Sequence, residues 1–128
     1  MRLLLDTHVL LWALIEPGRL STDAAEALKA PENGIYFSAA NIWEVAIKRA
    51  LERPDFQVEP DLIRTAALGT GFVELPINGL HAIRVRQLPP LHRDPFDRLL
   101  VAQAQIEPLI LLTDDPLVAR YDVNLWRL

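Results

Sequence analysis

The chain contains no cysteine, which excludes disulfides and thiolate-bound metals and is compatible with a reducing compartment. Long apolar runs are missing too: the longest, Val9 to Ile15, falls far short of the ~20 residues needed to span a bilayer. The opening MRLLLD lacks a signal-peptide cleavage pattern, so the expectation is a soluble cytoplasmic protein with no membrane segment. Nor is there an excess of basic charge. Thirteen Lys and Arg against 17 Asp and Glu leave a net charge of −4, unlike a generic nucleic-acid binder. That objection weakens if several acids converge on divalent cations, because the ions then reverse the local sign. No internal repeat, low-complexity segment or separating linker is present. The 128 residues, 51% of them apolar, therefore read as a single domain spanning 1–128 with a substantial core.

What is present is an alternation of short apolar runs and amphipathic segments. Arg2 to Leu5 is too brief for a helix and suits a strand buried on both faces; Thr7 to Ile15 reads as a helix stopped by Pro17 and Gly18. Leu20 to Ala30 is a second helix, capped by Ser21, Thr22 or Asp23, and Ile35 to Phe37 a second strand. Ser38 then caps a helix through ANIWEVAIKRALE. Arg53 to Pro60 reads as a loop, Asp61 to Thr70 as a helix, Phe72 to Leu75 as a third strand and Gly79 to Leu88 as a helix closed by Pro89-Pro90. In His92 to Ala104, HRDPFDRLLVAQA, Asp94 before Pro95 is a good N-cap and Asp97 falls in the first turn, where the helix dipole favours negative charge. Leu109 to Leu112 is a fourth strand, Leu117 to Tyr121 a short helix and Asn124 to Trp126 a last strand. This alternation argues for a parallel sheet covered by helices on both faces.

Four acids recur at equivalent places: Asp6 after the first strand, Glu44 in the helix after the second, Asp97 opening a later helix, and an acid after the fourth strand at Asp114-Asp115. Each alone has a structural explanation, as a cap for Asp6 and Asp115, as a first-turn charge for Asp97 or as a surface pair with Lys48 for Glu44. Jointly they can meet at one rim of the sheet, where ligands bind in open α/β folds. Crowded carboxylates repel, so such a cluster needs a counter-charge. Mg2+ or Mn2+ suits an all-oxygen set, whereas zinc would recruit histidine or cysteine. His8, His81 and His92 are not spaced as metal ligands and read as ordinary surface or core histidines. Arg84, Arg86, Arg93 and Arg98 form the one dense basic region, and those near the acids would touch phosphates.

LLLDTHVLLWAL, SAANIWEVAIK, HRDPFDRLLVAQA and LLTDDPL, in that order over nearly the whole chain, resemble the PIN-domain ribonucleases, most closely the VapC-type toxins of toxin–antitoxin pairs. The resemblance implies a three-layer sandwich with a five-stranded parallel sheet in the order 3-2-1-4-5. It implies catalytic, metal-binding acids at Asp6, Glu44, Asp97 and Asp115, Asp115 being preferred to Asp114 because the motif ends on the acid after a threonine and one variable residue. Asp94 is either an extra ligand or simply the cap, and Ser38 matches a small hydroxyl residue near the same pocket. The implied activity is Mg2+-dependent (or Mn2+-dependent) endonucleolytic hydrolysis of RNA. The implied partners are an antitoxin of VapB type and a second copy of the chain, a homodimer. The apolar side of Val9 to Ile15, with Trp12, suits an antitoxin contact or the core.

Two other classes compete. A phosphoacceptor receiver domain also places acids at strand ends, but it wants paired acids after the first strand and a lysine after the last, where this chain has Thr7 and His8 and only Arg127. A D-x-D phosphatase is disfavoured because position 8 is histidine. The same fold serving as an inert binding scaffold would not need all four acids.

Overall fold

The computed structural model describes residues 1–128. Its strands are β1 (Arg2–Leu5), β2 (Gly34–Ser38), β3 (Val73–Leu75), β4 (Ile110–Thr113) and β5 (Leu125–Arg127). Its helices are α1 (Thr7–Ile15), α2 (Thr22–Lys29), α3 (Ala39–Ala50), α4 (Pro60–Thr70), α5 (Gly79–Gln87) and α6 (Pro95–Ile106). All strand pairs are parallel and the order is β3-β2-β1-β4-β5, as the resemblance implies.

The central strand explains the layering. Successive strand residues face opposite sides, so Leu4 packs with Leu100, Val101 and Leu111, on the side covered by α6. Leu3 and Leu5 pack with Val9, Leu10, Ile63 and Ala67, on the side covered by α1 and α4. Burying leucines in this way contributes ~1.5–3 kcal/mol each, which is why a four-residue strand with only Arg2 exposed holds its place.

Short-range chemistry sets most boundaries. Ser21 Oγ accepts the Ala24 amide and starts α2, after a 3-10 turn at Pro17–Arg19 takes up the residues before it. Pro60 opens α4, at a position where its missing donor costs nothing. The helix closes at Gly71, whose φ of 96° is a left-handed conformation that suits glycine. The fourth strand lies one residue later than its apolar run suggests, because the Leu109 amide bonds Ala104 O and belongs to the turn leaving α6. β5 is displaced by one residue likewise, and the short helix expected at Leu117 to Tyr121 is a 3-10 turn at Val118–Arg120.

In an all-parallel sheet every strand ends on the same rim. Asp6, Ser38 and Thr113 therefore share one edge, and the chain leaves β1 for β2 on one side while β4 lies on the other. That reversal opens a crevice beyond the strand ends. No helix is long and apolar enough to cross a membrane.

Candidate active site

Asp6 sits in this crevice with 4% of its surface exposed. It caps α1, Oδ1 accepting the Val9 amide at 2.9 Å, while Oδ2 accepts the Thr113 hydroxyl from the end of β4. Burial raises its pKa, and these two hydrogen bonds oppose the rise.

Glu44 lies on α3 and is also buried. Its Oε1 accepts the Thr7 hydroxyl at 2.6 Å and its Oε2 meets Lys48 Nζ at 2.6 Å. The pair with Lys48 is thus the one the spacing predicts, but it is not a solvated surface pair of the kind worth ~0.3–0.5 kcal/mol, because Glu44 points into the crevice. Thr7 is held in turn by Asn41 Nδ2 at 3.0 Å, and Asn41 Oδ1 accepts the Ser38 amide at 2.6 Å. Ser38 itself lies beneath the crevice: its hydroxyl donates to Gln103 Oε1 at 2.5 Å and accepts the Ala40 amide. The hydroxyl residue lining the crevice is Thr7, not Ser38.

From α6, Asp94 Oδ1 accepts the amides of Phe96 and Asp97 at 2.8 and 3.2 Å, a complete N-cap, while the side chain also borders the crevice. Asp97 projects inward. Burial, then the charges of Asp94, Asp6 and Glu44, push its pKa up to about 7, against the favourable influence of His92. Past β4, the Asp115 amide donates to Thr113 Oγ1 at 3.0 Å and its Oδ1 accepts the Leu117 amide at 2.8 Å. Burial disfavours ionisation of Asp115, but its hydrogen bonds from His92 and the Leu117 amide win, and its pKa is lowered. Asp114 does not line the crevice.

His92, expected to be ordinary, is part of the site. Its Nε2 lies 3.0 Å from Asp97 Oδ2 and 2.9 Å from Asp115 Oδ2, while Nδ1 accepts the Asp94 amide at 3.1 Å. With Nδ1 accepting, the ring proton is on Nε2, so His92 donates to the two carboxylates rather than offering them a free nitrogen lone pair. Nothing in its spacing signals this, since its partners lie five and 23 residues onward. His81 is a core histidine, fully buried, with Nδ1 accepting the Asn78 amide and Nε2 on Glu107. His8 is exposed at the rim.

Together Asp6, Thr7, Glu44, Lys48, Asp94, Asp97 and Asp115, with His8 and His92, enclose about 130 Å³ and include no apolar residue. A larger hollow of about 340 Å³ beside Arg84 and Asp122 holds no comparable cluster. The arginines expected near the acids are elsewhere engaged or outside the lining. Arg98 donates to the carbonyls of Pro89 and Val85 and to Tyr121 Oη, and Arg84 donates to Gln105 near the far end of α6. Arg86 and Arg93 do not line the crevice. Five carboxylates face one lysine, and the Asp97 pKa is raised first by burial and then by the neighbouring negative charges. Oxygen donors in such a deficit of positive charge fit a hard divalent cation, and Asp97 and Asp115 bring carboxylate oxygens within 4.8 Å of each other beside His92, whose Nε2 would ligate only after losing its proton.

Comparison with known proteins agrees with this fold. The family model described as PIN domain matches residues 3–124. Among solved structures, the chain is similar to one in VapBC2 from Rickettsia felis bound to a promoter DNA fragment (TM-score 0.76, 15% identity, covering 100% of this chain and 99% of that one). It is similar to one in DNA-bound VapBC from Salmonella typhimurium (0.70, 12%, 99% and 98%), and to one in VapBC-1 from nontypeable Haemophilus influenzae (0.64, 17%, 99% and 98%). No curated protein matches its sequence.

Proposed function

This chain belongs to the PIN-domain family, and from that premise we propose that it is a metal-dependent endoribonuclease, the toxin component of a toxin–antitoxin pair. The observation that carries the reading is the convergence of Asp6, Glu44, Asp94, Asp97 and Asp115 on one crevice with no apolar residue in its lining, where burial and then Asp94, Asp6 and Glu44 push the Asp97 carboxyl up to about 7. A side chain so placed favours a cation over a second carboxylate.

In this reading Asp6 and Asp97 would hold Mg2+ or Mn2+, and Glu44 and Asp115 would orient water in the same crevice. When bound, such an ion lowers the pKa of water and offsets charge on the phosphate and leaving oxygen. The protein's own part is positional. Thr113 and the Val9 amide fix both oxygens of Asp6, and Thr7 and Lys48 fix both oxygens of Glu44. His92 ties Asp97 to Asp115. A water oriented by this array would attack phosphorus as the bond to the leaving oxygen breaks, the proton the water gives up passing through solvent or a crevice carboxylate to that oxygen.

The likeness to chains from VapBC complexes supports an antitoxin of VapB type as partner. On α1, Val9 and Leu10 are core, while Leu11, Trp12 and Leu14 are half-buried and Ile15 is exposed, which leaves an apolar strip for that partner. Trp43 and Ile47 on α3 and Leu51 just past its end, four apart and exposed, would suit a homodimer contact.

The test is cleavage of labelled RNA by the purified chain with Mn2+ or Mg2+, arrest by chelator, and loss of cleavage in Asp6→Asn and in Asp97→Asn with the far-UV circular dichroism unchanged. Full activity in both variants would sink the assignment.

A further inference from the structure

The acids explain how the crevice attracts cations but not how it tolerates an RNA phosphate, which five carboxylates repel. Within the lining only Lys48 carries a permanent positive charge. It stands one turn beyond Glu44 on α3, and the 2.6 Å contact with Glu44 Oε2 pins the ammonium at the mouth, where a third of the side chain remains open to solvent. An ammonium has three donors, and a single carboxylate contact leaves two for a further acceptor. The arginines do not take this place: the Arg98 guanidinium is spent on Pro89, Val85 and Tyr121, Arg84 donates to Gln105, and Arg86 and Arg93 lie outside the lining.

We infer that Lys48 is a catalytic residue that donates to a non-bridging oxygen of the scissile phosphate, holding the polyanion against the acidic crevice. Glu44 serves it as anchor. This rests on the ribonuclease reading, and the measurements below separate the two.

The experiment uses the full-length chain, Lys48→Ala, Lys48→Met and Lys48→Arg, a fluorescein-labelled single-stranded RNA oligomer that the wild type cuts, and Mn2+. Three quantities are read: kcat/KM across a salt series, Mn2+ affinity by electron paramagnetic resonance without RNA, and Tm. The expected result is that Ala and Met lower kcat/KM by about 100-fold, the scale of losing one preorganised donor. They should also flatten the plot of log(kcat/KM) against log[salt] by about 0.7, the value of one phosphate contact on a single strand. Arg should restore the slope, and Mn2+ should bind all four proteins at least as tightly as wild type. The inference is overturned if Ala and Met leave activity unchanged, or if they lower it with the slope intact. A loss of Mn2+ affinity in step with activity overturns it as well, since Lys48 would then act only by holding Glu44. A wild-type chain that binds no Mn2+ and cuts no RNA in a panel of oligomers instead overturns the ribonuclease reading itself.

Discussion

Thr113, the last residue of β4, donates its hydroxyl hydrogen to Asp6 at the end of β1, and the same oxygen accepts the Asp115 amide. One buried side chain thereby joins two acids that lie more than a hundred residues apart, and does so where the neighbouring strands β1 and β4 end. Thr113→Val keeps the shape and the strand preference but deletes both hydrogen bonds. The expected cost is about 1–3 kcal/mol, that of leaving buried polar groups unsatisfied, seen as a lower urea midpoint with an unchanged m-value. Mn2+ affinity should fall too, because Asp6 is no longer oriented. An unaltered midpoint would show that the hydroxyl is dispensable.

Asp97→Asn should separate stability from function. Asp97 carries the like-charge cost of facing Asp94, Asp6 and Glu44, so the neutral variant should have a higher Tm than wild type in chelator. Wild type should be stabilised by Mn2+, by about 2.7 kcal/mol at a hundredfold excess over Kd and with a corresponding rise in Tm, and Asp97→Asn should gain little. Equal gains in the two proteins would remove Asp97 from the metal site.

The same residue sets a pH dependence. The folded chain holds the Asp97 proton up to about pH 7, against an ordinary value of 3.8. Below about pH 4 both states are protonated and nothing is lost; as pH climbs to about 7 the unfolded chain ionises first, so the metal-free fold loses stability across that window and levels off above it. Asp6, also raised, acts in the same direction. Asp115, held below its ordinary value, acts oppositely: its contribution is present at neutral pH and disappears as pH drops below about 4. The Tm in chelator should therefore be higher at pH 5 than at pH 8, and saturating Mn2+ should shrink the difference. A Tm in chelator that rises from pH 5 to pH 8 would contradict the charge deficit in the crevice.

Beneath the site, fully buried Gln103 of α6 accepts the hydroxyl of fully buried Ser38 at 2.5 Å and donates to the carbonyl of exposed Pro76 at 3.3 Å. This bridge ties the cap of the helix bearing Glu44 to the helix bearing Asp97. Gln103→Leu should cost about 1–3 kcal/mol, and Ser38→Ala about 1 kcal/mol as a lost cap. Because the two share a bond, the double variant should be less damaging than the two losses combined, by about 0.5–3 kcal/mol. Strict additivity in urea unfolding would mean that the bridge contributes nothing.

Much of this was legible in the chain before any coordinate. Leu3, Leu4 and Leu5 ending on Asp6, a cap within Ser21 to Asp23, Asp94 as a cap, Gly71 ending a helix, and the order of the acids are all carried by neighbours within a few residues. Periodicity and capping are short-range effects, so the alternating elements follow from local physics, and an all-parallel sheet follows from the alternation. The strand order came with the family resemblance. What depended on tertiary structure was which side chains meet. His92 joins Asp97 to Asp115, Lys48 faces the crevice in place of the arginines, and Ser38 gives way to Thr7 at its lining. These pairings are set by strand order and register across separations as long as that from Asp6 to Thr113, and no local pattern encodes the distance between two side chains that only a packed core brings together.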